Sequence, residues 1–296
     1  GKTTIIKCII DILEEQKKNY VLCAPTGRAA KRITQTTGKE AKTLHRLLEI
    51  SKIDDNDIDL FYEYQVKQVE DEVVIVDEAS MIDIMMMNNL VKGIKPTTQL
   101  IIVGDVNQLP SVGPGSVLKD IILSDIVPTV ELKQIYRQSA KSDIVINAHR
   151  VNEGLYPEFK SKDTDLFFIG TKTIEQTLSE ISSLITYRLE SYSNLDILKD
   201  LQILSPVKKT ELGTIELNEK IQEILNPRSE NKSEVIYQSK VFREKDKVMQ
   251  IVNNYDKKYS IEGKFFEGIY NGDIGYIDSI DNENEKLYVK FDDDRL

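Results

Sequence analysis

The stretch "VVIVDEAS" (73–80) decides how the rest of the chain is read. Val73 to Val76 form a continuous β-branched run without polar alternation, the pattern of a strand buried on both faces in a helix-covered parallel sheet. Two carboxylates, Asp77 and Glu78, follow at once, which puts both at the carboxyl end of that strand, where open α/β sheets bind ligands. Such a pair suits two roles: an acidic helix N-terminus stabilised by the helix dipole, or a metal ligand beside a general base. A second requirement of the same site, elsewhere in the chain, separates the two.

That requirement stands at "GKTT" (1–4). It reads as the second half of a phosphate-binding loop, in which backbone N–H groups cradle phosphates, a lysine reaches the β/γ-phosphates and a hydroxyl holds Mg²⁺. Gly1, Lys2, Thr3 and Thr4 are therefore candidate nucleotide ligands, with Thr3 and Asp77 as candidate metal ligands and Glu78 as the group that orients and deprotonates water. A lysine–hydroxyl pair before one helix and a strand ending in Asp-Glu are independent requirements, so their joint presence favours the site over the acidic cap. A third strand, "QLIIVG" (99–104), runs into "GDVNQLPSVGPG" (104–115). There the Gln108 amide can meet a γ-phosphate oxygen or the attacking water without adding charge, and Pro110, Gly113, Pro114 and Gly115 give fixed, close-approaching backbone.

Around these motifs the first half alternates strands and helices. Ile5 to Leu13 predicts a crossover helix, "YVLCA" (20–24) a buried strand, Gly27 to Thr37 a helix ended by Gly38, and Met85 to Met87 helical packing. Past about residue 134 the pattern changes: "LFFI" (166–169) and "LQIL" (201–204) read as strands, Thr173 to Tyr192 as a long amphipathic helix, and Gly213 to Leu225 as a helix closed by Asn226-Pro227. From Ser239 onward the chain reads as β-rich, with "KVMQIV" (247–252), a turn at Asn271-Gly272-Asp273, "IGYIDSI" (274–280) and "KLYVKF" (286–291). The fold expected is α/β, parallel-sheet domains followed by the opening of a small barrel.

The 296 residues are enough for about two domains, and no apolar run approaches a membrane span. Cys8 and Cys23 make no C-x-x-C pair and read as buried thiols of a reducing compartment, which places the protein in the cytoplasm; His45 and His149 are too few and too far apart for a histidine-rich metal site. A net charge of −10 speaks against indiscriminate coating of DNA. Between Gly27 and Arg46, however, Arg28, Lys31, Arg32, Lys39, Lys42 and Arg46 face the single acid Glu40. Such an island is either a solvated helix face or a surface that follows a phosphate backbone.

In their order and spacing, "GKTT", "APTGRAAKRI" (24–33), "TLHRLL" (43–48), "IVDEAS" (75–80), "GDVNQLPSVGPGSVLKDII" (104–122) and "QIYRQ" (134–138) resemble a superfamily 1 helicase of the RecD-like branch. More loosely, residues 203–227 and "YNGDIGYI" (270–277) resemble that family's second motor domain and the start of its SH3-like inserted barrel. The resemblance implies a first RecA-like ATPase domain at 1–133, the start of a second at 134–267 and the beginning of the barrel at 268–296. It implies an ATP-dependent, Mg²⁺-requiring DNA helicase that moves 5′→3′ in recombination or repair, with single-stranded DNA and duplex/single-strand junctions as partners. Glu78 then matches the catalytic carboxylate, Gln108 a γ-phosphate sensor and Arg137 an arginine that reaches the γ-phosphate. Thr26, Arg28, Thr43 and His45 match segments that track single-stranded DNA. The family's upstream glycines and later motifs do not occur in these residues, so an internal fragment with negligible hydrolysis of its own is expected. The rivals are a nucleotide-dependent DNA-binding switch that does not translocate, and a small-molecule kinase indifferent to DNA.

Overall fold

The computed structural model describes residues 2–50, 66–132, 142–160, 162–192, 195–252, 254–261 and 264–291. The chain forms two compact units: Gly1–Gln134 with Ile251–Asn254 and Tyr270–Gly272, and the remainder.

The first unit is built on a parallel sheet of β1 (Tyr20–Ala24), β2 (Ala41–Thr43), β3 (Val73–Val76) and β4 (Gln99–Ile102), in the order β2-β1-β3-β4. Ile75 pairs in register with Leu22 on one side and Ile101 on the other. Strand period then divides the apolar residues between two faces. Leu22, Ala24, Val73 and Ile75 pack with Ile6, Ile10 and Leu13 of α1 (Lys2–Glu15) and Ala30 and Ile33 of α2 (Gly27–Thr37). Cys23, Val74 and Val76 face the other way, onto Leu44 of α3 (Leu44–Leu47), Leu90 of α4 (Ile84–Gly93) and Leu118 of α5 (Val117–Leu123). All four β3 side chains are buried, each contributing about 1.5–3 kcal/mol, so this strand anchors the unit.

Helix ends follow local chemistry. The Thr26 hydroxyl accepts from the Ala29 N–H at 3.2 Å, and Gly38 closes α2 in the left-handed region at φ 72°. Thr43 caps α3 by accepting from Arg46 N–H, and Asp83 caps α4 by accepting from Met86 N–H at 2.7 Å. Met86 and Met87 pack on the core while Met85 is exposed.

In the second unit, helix Ile174–Ser183 continues through a π-helical segment, Leu184–Arg188, into Leu189–Tyr192. Helix Thr214–Leu225 ends at Asn226. An antiparallel hairpin pairs Glu234–Tyr237 with Lys240–Arg243, and Ile274–Asp281 lies between Lys286–Phe291 and Lys247–Met249 in a three-stranded antiparallel sheet. Asp246 joins the helix to these strands: its carboxylate accepts from Gln222, Asn226 and the Arg243 N–H.

Three expectations fail. "LFFI" and "LQIL" are not strands: no pairing reaches them among the described residues, and an isolated extended run lacks the ladder that stabilises a strand. Phe168 instead stacks on Phe159, with ring centroids 4.9 Å apart. Cys8 is exposed rather than buried, since it lies two residues beyond Ile6 and so turns away from the Ile6–Ile10–Leu13 face of α1. Among the described residues no helix is long and apolar enough to cross a membrane.

Candidate functional site

Helix α1 feeds β1 of a parallel sheet and therefore starts at the edge where the strands end. This brings Lys2 Nζ to 3.7 Å from Glu78 Oε2. The lysine stem is part exposed, but its ammonium is sealed from solvent and makes no hydrogen bond among the described residues. A buried donor without an acceptor is costly, and an anionic oxygen at this point relieves it.

Asp77 is held from both sides. Its N–H donates to the Cys23 carbonyl at 3.0 Å, and its Oδ1 accepts from the Glu78 N–H at 2.8 Å. Burial pushes the Asp77 carboxyl above the usual range; the Glu78 N–H bond opposes this, the Glu78 charge adds to it, and Lys2 and Arg32 lower it. Glu78 occupies the left-handed region at φ 53°, ψ 39°, a conformation that costs a non-glycine residue about 1–2 kcal/mol. The desolvated carboxylate of Asp77 and the hydroxyl of Thr3, next to Lys2 at the start of α1, are hard oxygen donors of the kind Mg²⁺ accepts while keeping most of its waters. Ser80, not singled out by the sequence, also buries its hydroxyl without a partner among the described residues.

The loop after β4 closes over this edge. Ala79 N–H donates to the Val103 carbonyl at 3.0 Å, fastening the turn that follows Glu78 to the end of β4. A Cβ on Gly104 would lie 2.6 Å from Leu118 Cδ2 and 3.2 Å from the backbone nitrogens of Ala79 and Ser80. A Cβ on Gly113 would lie 2.0 Å from Asp83 Oδ2, and the Pro114 carbonyl accepts from Ile84 N–H at 2.9 Å. The glycines of "GDVNQLPSVGPG" thus let the loop pack directly on the helix that follows Asp77 and Glu78. Gln108 is exposed on this loop.

The structure therefore brings Lys2, Asp77 and Glu78 together, with Thr3 and Thr4 on the first turn of α1. Gly1 and Arg137 lie outside the described residues. Thr26 lies two residues past β1 and Thr43 ends the paired strand β2, with Ala24 in register with Thr43, so the starts of α2 and α3 are neighbours. Both hydroxyls accept helix N–H bonds. Arg28 and His45 are exposed. Desolvation on its protein side pushes the His45 imidazole below the usual histidine range, against the pull of the Asp83 carboxylate. The island is not wholly a solvated face: Lys39 pairs with Glu14 of α1 at 2.5 Å, and Arg46 donates to the Tyr270 hydroxyl at 3.5 Å.

A lysine at the start of the helix that feeds a parallel sheet, facing an Asp-Glu pair at the end of the neighbouring strand, defines a P-loop NTPase domain. Residues 1–114 match the family described as "AAA domain", and residues 217–291 match "ATP-dependent RecD-like DNA helicase SH3 domain". The chain is 30% identical over 296 residues to an ATP-dependent RecD2 DNA helicase of Deinococcus radiodurans, covering 99% of this chain and 36% of that one. It is 34% identical over 145 residues to the RecBCD enzyme subunit RecD of Mycolicibacterium smegmatis, covering 41% of this chain and 26% of that one. The chain is thus similar to the RecD-like helicases along nearly all of its own length, and it spans about a third or less of these relatives' length. Among solved structures it is similar to a Pif1 helicase from Bacteroides in complex with ADP-AlF3 and ssDNA, with 21% identity and a TM-score of 0.46 over 100% of this chain and 67% of that one.

Proposed function

We propose that the protein carrying this chain is an ATP-dependent DNA helicase that couples hydrolysis to 5′→3′ movement on single-stranded DNA, at duplex/single-strand junctions, in cytoplasmic recombination or repair. The observation that carries the proposal is the convergence of the buried Lys2 ammonium with Asp77 and Glu78. Lys2 would exchange Glu78 for the β/γ-phosphate oxygens of ATP, which frees the Glu78 carboxylate to take a proton from the attacking water. Asp77 and the Thr3 hydroxyl would hold Mg²⁺, which when bound neutralises charge between the phosphates. Gly1 and Thr4 complete the phosphate-binding segment, Gln108 senses the γ-phosphate, and Arg137 neutralises charge that develops on it. Thr26, Arg28, Thr43 and His45 line the strand track, the two hydroxyls fixing the helix starts that present Arg28 and His45. The division into motor domains at 1–133 and 134–267, with the barrel from 268, is part of this proposal.

The test is steady-state hydrolysis by the full-length protein with and without oligothymidylate, together with strand displacement from duplexes tailed at either end. Expected are strong stimulation by single strands and displacement from 5′-tailed duplexes only. Hydrolysis indifferent to DNA would refute the proposal; stimulation without displacement would leave a DNA-binding switch in its place.

A further inference from the structure

One turn inside the SH3-matched region packs on the basic segment, a role that neither the motifs nor that match gives it. Tyr270–Gly272, from the far end of the chain, belongs to the first unit, and it meets the basic segment at two glycines. Gly27 is buried, and a Cβ there would stand 2.3 Å from Tyr270 Cβ and 2.4 Å from its Cγ, so the tyrosine occupies the space that only glycine leaves open at the start of α2. Reciprocally, a Cβ on Gly272, at φ 92°, would stand 3.3 Å from Arg28 Cδ and 3.7 Å from Arg28 Cβ, so the arginine's aliphatic stem rests on the turn. Arg46 reaches the same turn by donating from Nη1 to the Tyr270 hydroxyl at 3.5 Å.

Resting on the strand-track reading above, we infer that the turn Tyr270–Gly272 is a positioning clamp that presets Arg28 and Arg46 for the phosphodiester backbone of single-stranded DNA. An exposed arginine samples many rotamers, and a phosphate contact must overcome that entropy each time it forms. Seating one stem on Gly272 and tethering the other guanidinium to a phenol removes much of this freedom before the strand arrives. Guanidinium donors not used by the clamp remain for phosphate oxygens, since each guanidinium carries five N–H groups. Tyr270 thus acts through the arginines rather than by touching the strand.

The test is binding of a fluorescent oligothymidylate by the full-length protein across a salt series. For single strands each phosphate contact contributes about 0.7 to the slope of log K against log salt. Tyr270→Ala should weaken low-salt binding roughly tenfold and flatten that slope by about 0.7–1.4, as one or both arginines lose their register. Tyr270→Phe, which keeps the ring on Gly27 and removes the hydroxyl that Arg46 reaches, should flatten it by about 0.7 and provides a variant that folds if the alanine does not. Adding Tyr270→Ala to an Arg28→Ala/Arg46→Ala background should cause no further loss. Weaker binding with an unchanged slope, or an additive loss in the triple variant, would overturn the clamp alone. Unchanged affinity in the Arg28→Ala/Arg46→Ala protein would overturn the strand track itself, and the clamp with it.

Discussion

Replacing Gly104 by alanine perturbs the floor of the candidate site without touching any of its charged groups. The new methyl would stand 2.6 Å from Leu118 Cδ2, the far end of a flexible side chain, and 3.2 Å from the nitrogens of Ala79 and Ser80, which are backbone. Leu118 can rotate; the turn after Glu78 can only shift bodily by a few tenths of an ångström, because Ala79 N–H is fastened to the Val103 carbonyl at 3.0 Å. Overpacking of this kind costs about 1–3 kcal/mol. At ~4 °C per kcal/mol for a unit of this size, the first transition should fall by roughly 4–12 °C. Since a displacement of about 1 Å can cost ~100-fold in rate, a shift of a few tenths predicts a loss of roughly threefold to tenfold in single-turnover hydrolysis by the full-length protein. Gly38→Ala is the control: Gly38 sits at φ 72°, where other residues are strained, but nothing lies within 4 Å of its missing Cβ. It should cost about 1 kcal/mol of stability and leave hydrolysis unchanged. Wild-type melting and wild-type turnover in Gly104→Ala would refute the close approach between the loop and the turn that carries Glu78.

Asp77→Asn should raise the melting temperature of the nucleotide-free protein in Mg²⁺-free buffer, because burial makes the ionised carboxylate unfavourable at neutral pH, while abolishing Mg²⁺-dependent hydrolysis; a lower melting temperature with hydrolysis intact would contradict both roles. Arg137→Ala in the full-length protein should reduce hydrolysis on the order of a thousandfold with ATP affinity nearly kept, and equal weakening of the two in a filter-binding and turnover comparison would remove Arg137 from the transition state. The depressed His45 pKa means the unfolded chain binds that proton first, so its contribution to stability is complete above the free value of 6.5 and is lost as pH falls below it. The urea midpoint of the wild type should accordingly drop relative to His45→Gln between pH 7 and pH 5, and a constant difference would refute the desolvation.

What the sequence by itself determined is what local pattern determines. The β-branched run of Val73 to Val76 could bury both faces only as an interior strand, and it does so between β1 and β4. Because a helix feeding a parallel strand must start at the edge where strands end, the start of α1 and Asp77-Glu78 were legible as spatial neighbours from two separate motifs, and the 3.7 Å approach of Lys2 to Glu78 follows from that topology. The capping threonines sit where polar residues before an apolar helix start are favoured, though their hydroxyls are engaged in helix bonds that motif matching alone does not reveal. Tertiary structure decided everything that needs a partner distant in sequence. "LFFI" and "LQIL" have the composition of strands but no neighbour to pair with among the described residues, and a strand exists only through its ladder. Cys8 is apolar in its sequence surroundings yet exposed, because burial is set by the face of α1 that meets the sheet. Gly27 reads locally as a small residue at a helix start; its reason for being glycine is Tyr270, which lies far along the chain and reaches it only once the chain has folded.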